Sequence, residues 1–203
     1  DGWRSTFDKA DEHAAPGYYS VILKDYGIRA ELTATKRVGF QRYTFPAGKS
    51  HIIFNVGNRQ GESGNVKDSY ARVEGRTVSG YIVTEPEYVK KYQAGATVCM
   101  YFYAELSKEP VSAGGFQYYG SEIRPGDSVS GPGAVLVLDY DTEEGEQIEV
   151  KLGLSYTSVD NAKLNYLAEA EKLDFDKARR LATAEWAEQL SRIEVSGGSE
   201  ASR

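Results

Sequence analysis

For most of its length the chain alternates short runs of period-two hydrophobicity with glycine-rich breaks, and near its end it changes to helical spacing. The clearest alternation covers 28–35, where Ile28, Ala30, Leu32 and Ala34 share one face and Arg29, Glu31, Thr33 and Thr35 the other. Successive strand side chains point to opposite faces, so this predicts a half-buried strand with the apolar set inward. A run at 18–23 precedes it across Asp25-Tyr26-Gly27, a short connection whose glycine suits the positive φ of a hairpin. Further strands are predicted at 40–45, stopped by Pro46-Ala47-Gly48, and at 51–56 and 69–73. The pattern adds 77–83, 97–106, 134–140 and 148–156. With no helical pattern between them, these segments predict a mostly β fold, an antiparallel β-sandwich rather than a parallel sheet.

From Asp160 the period changes. Residues 161–171 read as one helix. A second follows with Asp174 as N-cap and Phe175, Ala178, Ala182, Trp186, Leu190 and Ile193 along one face. Such a stripe needs a partner, either the sandwich or a following domain. The Gly/Ser-rich end lacks core-forming residues and reads as flexible. The organisation expected is a β-sandwich domain at 1–157, a helical linker at 158–195 and a flexible terminus at 196–203.

Composition agrees with a folded, turn-rich β protein: 21 glycines and 15 tyrosines against 6 prolines in 203 residues. The net charge of −6, with no Lys/Arg run, argues against a nucleic-acid or anionic-membrane partner, because both need clustered positive charge. Cys99 is the sole cysteine, so an intrachain disulfide and a structural zinc cage are excluded; in the apolar run 98–102 it is expected to be a buried small hydrophobe. No stretch approaches the roughly 20 apolar residues of a membrane helix, and no signal-peptide pattern is present. The chain begins at Asp1 and reads as a processed or excised piece of a longer protein.

Candidate chemistry is sparse. Asp139-Tyr140-Asp141-Thr142-Glu143 opens like a calcium loop, but Glu144 stands where the glycine belongs and Val150 where the bidentate Glu belongs, which favours a solvated hairpin tip. Gly57, Gly61 and Gly64 mark a loop without the Gly-Lys-Ser/Thr ending of a phosphate cradle. His13 lies in a charged segment expected on the surface, and His51 opens a strand, where a hydrogen-bonded edge histidine is favoured over a base. Gly126-Asp127-Ser128-Val129-Ser130 lacks the closing glycine of a nucleophile elbow. Carboxylates are plentiful, but nothing sets two of them at a glycosidase separation. Trp3, Tyr88, Tyr92, Phe116, Tyr118 and Tyr119 lie in or near loops, where an exposed ring can stack on a sugar.

The segment Ala14-Ala15-Pro16-Gly17-Tyr18-Tyr19-Ser20-Val21 and the segment from Ala30-Glu31-Leu32-Thr33-Ala34-Thr35 through Lys36-Arg37-Val38-Gly39-Phe40-Gln41-Arg42-Tyr43-Thr44-Phe45-Pro46 resemble the N-terminal domain of glycoside hydrolase family 92, the bacterial exo-α-mannosidases. Ser158-Val159-Asp160-Asn161-Ala162, Asp174-Phe175-Asp176, Trp186 and Arg192-Ile193-Glu194-Val195 resemble the helical linker before that family's catalytic barrel. Gln41 stands where the family pattern has His. The resemblance implies a β-supersandwich packed on an (α/α)₆ barrel with the active cleft between them, in a periplasmic or secreted enzyme. It also implies calcium-dependent hydrolysis of terminal α-mannosides of mannose-containing glycans with inversion, by an acid and a base spaced to admit water. Acid, base and calcium ligands are expected in the barrel, so no catalytic or metal residue is assigned here, and substrate-binding residues are not identified. The competing readings are an autonomous carbohydrate-binding module and a structural interaction domain.

Overall fold

A computed structural model of the chain describes residues 4–59, 64–118, 120, 122–194 and 196–199. Its strands are β1 His13–Ala15, β2 Tyr18–Leu23, β3 Ile28–Ala34, β4 Val38–Phe45, β5 Gly48–Asn55, β6 Asn65–Glu74, β7 Thr77–Glu85, β8 Val98–Leu106, β9 Ser112–Gln117, β10 Arg124–Pro125, β11 Ser128–Ser130, β12 Ala134–Thr142 and β13 Glu146–Ser155. Among the described residues three α-helices accompany them, α1 Glu87–Lys90, α2 Val159–Glu169 and α3 Phe175–Leu190, with a 3₁₀ turn at Lys9–Asp11. A large sheet runs β1-β2-β3-β4-β13-β8-β7-β6-β11 and a small one β10-β9-β12-β5, with every pairing antiparallel. Their facing sides bury one apolar core that includes Phe54, Val78, Phe102, Leu136 and Ile148. Each such large side chain is worth about 1.5–3 kcal/mol of burial.

Every strand read from the pattern is present, and β1, β9, β10 and β11 are additional. Strand β9 was invisible because Ser112-Ala113-Gly114-Gly115 holds no β-former, and packing explains the glycines. A Cβ on Gly114 would sit 2.7 Å from Ile123 Cγ2, and one on Gly115 2.7 Å from Val129 Cβ.

Strand β3 departs from its expected facing. Ala30 is buried, but Leu32 is 38% exposed while Glu31 and Thr33 on the opposite side are 4% and 7% exposed. The reason is architectural. The small sheet does not reach across β2 and β3, whereas α3 covers their outer side and packs on β2, β3 and β4. Cys99 is half-buried rather than buried, because it lies on the outer side of β8 opposite Val83 of β7.

Two glycines let the helices approach. Gly17 has φ +82°, and a Cβ there would meet the Ala182 carbonyl carbon and the Thr183 nitrogen at 2.8 Å. A Cβ on Gly153 of β13 would meet the Ala162 carbonyl oxygen of α2 at 2.5 Å. The helices start at side-chain caps: Ser158 Oγ accepts from the Asn161 N–H at 3.0 Å, and Asp174 Oδ1 from the Lys177 N–H at 2.7 Å. Among the described residues no helix is long and apolar enough to cross a membrane.

Candidate functional surfaces

Beneath α3 lies a buried ionic cluster. Glu31 accepts hydrogen bonds from Tyr18 Oη at 2.7 Å and from Arg42 Nε and Nη2 at 2.8 and 3.1 Å. Arg42 also donates to Asp176 at 3.2 Å and lies over the Phe175 ring at 4.3 Å. Burial alone would push the Glu31 carboxyl up, but the bonds from Arg42 and Tyr18 hold it below its ordinary value. Arg42 is held further above its already high value, first by its bonds to Glu31. Held in its ionised form by Arg42 and Tyr18, and linked through Arg42 to Asp176 of α3, this cluster fastens that helix to the sheet.

The other helix is fastened the same way. Glu169 near the end of α2 accepts from Thr35 Oγ1 and Arg37 Nε at 2.6 Å and from the Arg37 N–H at 3.0 Å. Burial opposes its ionisation, yet these bonds leave it below the usual carboxylate value. Tyr166 donates to Glu105 at 2.7 Å, and burial, then that bond, drives its hydroxyl well above the usual tyrosine range.

The helical stripe divides into two parts. Phe175, Ala178 and Ala182 are buried on the sheet, but every residue from Thr183 to Leu190 is exposed, with Trp186 at 53% and Leu190 at 54%. Ile193 beyond the helix is 79% exposed. The last turns of α3 thus stand clear of the sandwich. Leu164 and Leu181 add exposed apolar area on α2 and α3.

A second apolar surface opens between the sheets beside β5. It is a trough of about 430 Å³ lined by Leu23, Ile28, Tyr43, Ile53 and Leu152, with Gln41, His51 and Asn55 as polar members. It shares Leu23, Ile28, His51 and Ile53 with a neighbouring hollow of about 250 Å³. Tyr43 donates to Gln41 Oε1 at 2.5 Å, and Asn55 Oδ1 is buried without a hydrogen-bond partner.

The residues singled out from sequence do not converge on one site. Strand β12 continues through Thr142, so the hairpin tip is only Glu143 to Gly145 rather than the whole acidic stretch. Asp139 bonds His51 Nδ1 at 2.8 Å and Ser112 Oγ at 2.6 Å, and Asp141 pairs with Lys49 at 2.5 Å. With the aspartate between serine and histidine, the order is wrong for a nucleophile and its base. Those carboxylates are engaged, and buried Tyr140 stands between them, so they do not fit a calcium cage. No group of three or more His, Cys, Asp or Glu positioned for a metal occurs among the described residues. His13 is exposed on β1 near the Tyr18 ring.

Tyr88 and Tyr92 are exposed around α1, Phe116 is half-buried near the end of β9, and Tyr118 follows that strand. Trp3, Tyr119, Gly61 and Val195 lie outside the described residues, as does part of 196–203. The closer aromatic array went unread in the sequence: Tyr81 on the outer side of β7 lies 6.0 Å from Tyr70 and 6.1 Å from Tyr101. Cross-strand register, not loop position, assembles it.

The architecture is an antiparallel two-sheet sandwich with α2 and α3 packed on the outer face of its large sheet. It superposes with TM-score 0.83 on an α-mannosidase of family GH92 from Bacteroides thetaiotaomicron in complex with mannoimidazole, at 28% identity over 97% of this chain and 26% of that one. An inverting mannosidase of the same family and organism matches with TM-score 0.77 at 22% identity over 96% of this chain and 25% of that one. A bacterial glucoamylase bound to acarbose shares the fold alone, at TM-score 0.56 and 10% identity over 87% of this chain and 27% of that one. Residues 1–155 match the glycosyl hydrolase family 92 N-terminal domain, and the chain belongs to that family. It spans about a quarter of the length of the solved relatives it matches. Direct sequence comparison with curated proteins found no match.

Proposed function

We propose that this domain is the non-catalytic N-terminal part of a calcium-dependent, inverting exo-α-mannosidase acting on mannose-containing glycans outside the cytoplasm, and that it supports an (α/α)₆ catalytic barrel and shapes one wall of its cleft. The observation that carries this is the exposed end of α3. Trp186 and Leu190 stand clear of their own domain at the point where the chain leaves the sandwich, and a helix bearing such residues without cover is a docking element. Family membership supplies the reaction class, and the mannoimidazole bound by one relative supports a mannoside substrate. Acid, base and calcium are assigned to the barrel; the acidic stretch 139–143 of this chain does not fit the cation.

The test is hydrolysis of an aryl α-mannoside by the full-length enzyme and by residues 1–203. We expect turnover only from the full-length enzyme, its loss on chelation of calcium, and β-mannose as the first product by NMR. Turnover by 1–203, or chelator-insensitive release of α-mannose, refutes the assignment. An autonomous carbohydrate-binding module is favoured by one feature, the exposed Tyr88 and Tyr92; saturable binding of mannobiose by 1–203 in calorimetry would establish it.

A further inference from the structure

The large sheet is antiparallel throughout, so the starts of β2, β4 and β8 and the ends of β3, β13 and β7 fall at one end of it. Helix α3 travels towards that end. The Arg42 guanidinium of mid-β4 covers the Phe175 ring at 4.3 Å, Arg179 lies 3.5 Å from the centre of the Tyr18 ring, and the Ala182–Thr183 peptide abuts Gly17 just before β2. The exposed turns from Thr183 to Leu190 therefore continue past the same end, over about 12 Å of helix.

At that end the β7–β8 connection, residues 86–97, forms an arm built on α1. The Tyr92 and Gln93 N–H groups donate to the Val89 carbonyl at 3.0 and 2.9 Å, which coils the arm beyond the helix. Lys90 pairs with Glu85 at 3.3 Å, and Glu85, only 8% exposed, is paired again with Lys67 of β6 at 3.0 Å. This anchored base carries Tyr88 at 58% exposure and Tyr92 at 84%, the highest of any large apolar side chain among the described residues. Both rings stand among charges: Glu87 and Lys90, on either side of Tyr88 in the chain, pair at 3.5 Å, and Lys91 Nζ lies 5.9 Å from the Tyr92 ring centre. The core of a protein interface is depleted of charge, so rings in such company are poor docking residues. They suit a pyranose, which offers C–H groups to a ring and hydroxyls to neighbouring charges.

We infer that the arm at 86–97 is a specificity element of the parent enzyme: Tyr88 and Tyr92 stack on the units of an oligomannoside that lie beyond the terminal mannose being removed. An exo-acting enzyme encloses the terminal unit, so the remainder of the glycan runs out along the surface, where rings held clear of the sandwich reach it. Five strand spacings, about 24 Å, separate β7 from β2. A catalytic domain seated on the end of α3 is therefore faced by the arm across the width of an oligosaccharide cleft. The inference rests on the mannosidase reading proposed above.

Steady-state kinetics of the full-length enzyme test it, with an α-linked mannotriose and with α-mannosyl fluoride, whose leaving group is a single atom. For Tyr88→Ala with Tyr92→Ala, the ratio of kcat/KM for mannotriose to that for the fluoride is expected to fall about tenfold through KM, the size of two ring contacts. Tyr88→Phe with Tyr92→Phe should restore it. An unchanged ratio, or one that the phenylalanine pair fails to restore, overturns the inference. Saturable binding of mannotriose by residues 1–203 that depends on the two tyrosines also overturns it, because the arm would then be a binding site in its own right. A wild-type enzyme that cleaves neither substrate refutes the mannosidase reading instead. Calorimetry of mannotriose on the full-length protein, with and without the two rings, then decides the arm, and equal affinities overturn it.

Discussion

Glu31 and Gly17 both serve the attachment of α3, one through the ion pair with Arg42 and the other through close backbone approach. Glu31 and Arg42 expose only 5% and 12% of their side chains, so removing one partner strands the other charge. Glu31→Leu is therefore expected to cost about 3 kcal/mol. The double variant with Arg42→Met should recover most of that, because an apolar pair of similar volume often equals a buried ion pair. Denaturant unfolding of both variants checks this, and a double variant as unstable as the single one refutes it. Gly17→Ala faces a left-handed backbone and a Cβ contact with the Ala182–Thr183 peptide at 2.8 Å. A loss of about 2–4 kcal/mol is expected, measured by the same unfolding and by loosened exchange in α3. Neither role was legible beforehand: Glu31 alternated as a solvent-facing residue, and only the helix that returns over β3 buries it.

At the scale of elements, acid should release the helices before it melts the sandwich. The unfolded-state value for a glutamate is near 4.5, and the folded values of Glu31 and Glu169 lie below it. Their contribution to stability is therefore complete above pH 4.5 and is lost as the pH falls through the folded values. Glu149 has the opposite sign: burial raises it, so its protonation on mild acidification offsets part of that loss. Exchange of α2 and α3 amides is expected to accelerate below pH 4.5 while β12 stays protected, and Glu31→Gln with Glu169→Gln should flatten that dependence. Simultaneous loss of strand and helix protection would refute it. The elements were largely legible because period two and period 3.6 separate cleanly at Asp160, and Asp174 capped its helix as expected. Strands β9, β10 and β11 were not, since glycine, proline and serine carry no strand pattern and take their conformation from the neighbours they approach.

For the molecule as a whole, two apolar surfaces stand uncovered among the described residues. One is the end of α3, the other the trough at β5. The sequence indicated a partner through the stripe from Phe175 to Ile193, but placed its whole length on one interface. The structure divides it, with Phe175, Ala178 and Ala182 holding the helix on its own sheet and the residues from Thr183 to Leu190 exposed. The two halves should respond differently to substitution. Trp186→Ser with Leu190→Ser is expected to leave the melting temperature of 1–203 within about 2 °C, because exposed side chains contribute within about 0.5 kcal/mol. In the full-length enzyme the same pair should lower the melting temperature by several degrees and free the sandwich to proteolysis. Phe175→Ala should instead destabilise both proteins by about 3–5 kcal/mol, since it empties a buried site in the domain itself. If the serine pair proved as damaging to 1–203 as Phe175→Ala, the end of α3 would belong to the sandwich, and docking would have to be sought on another surface.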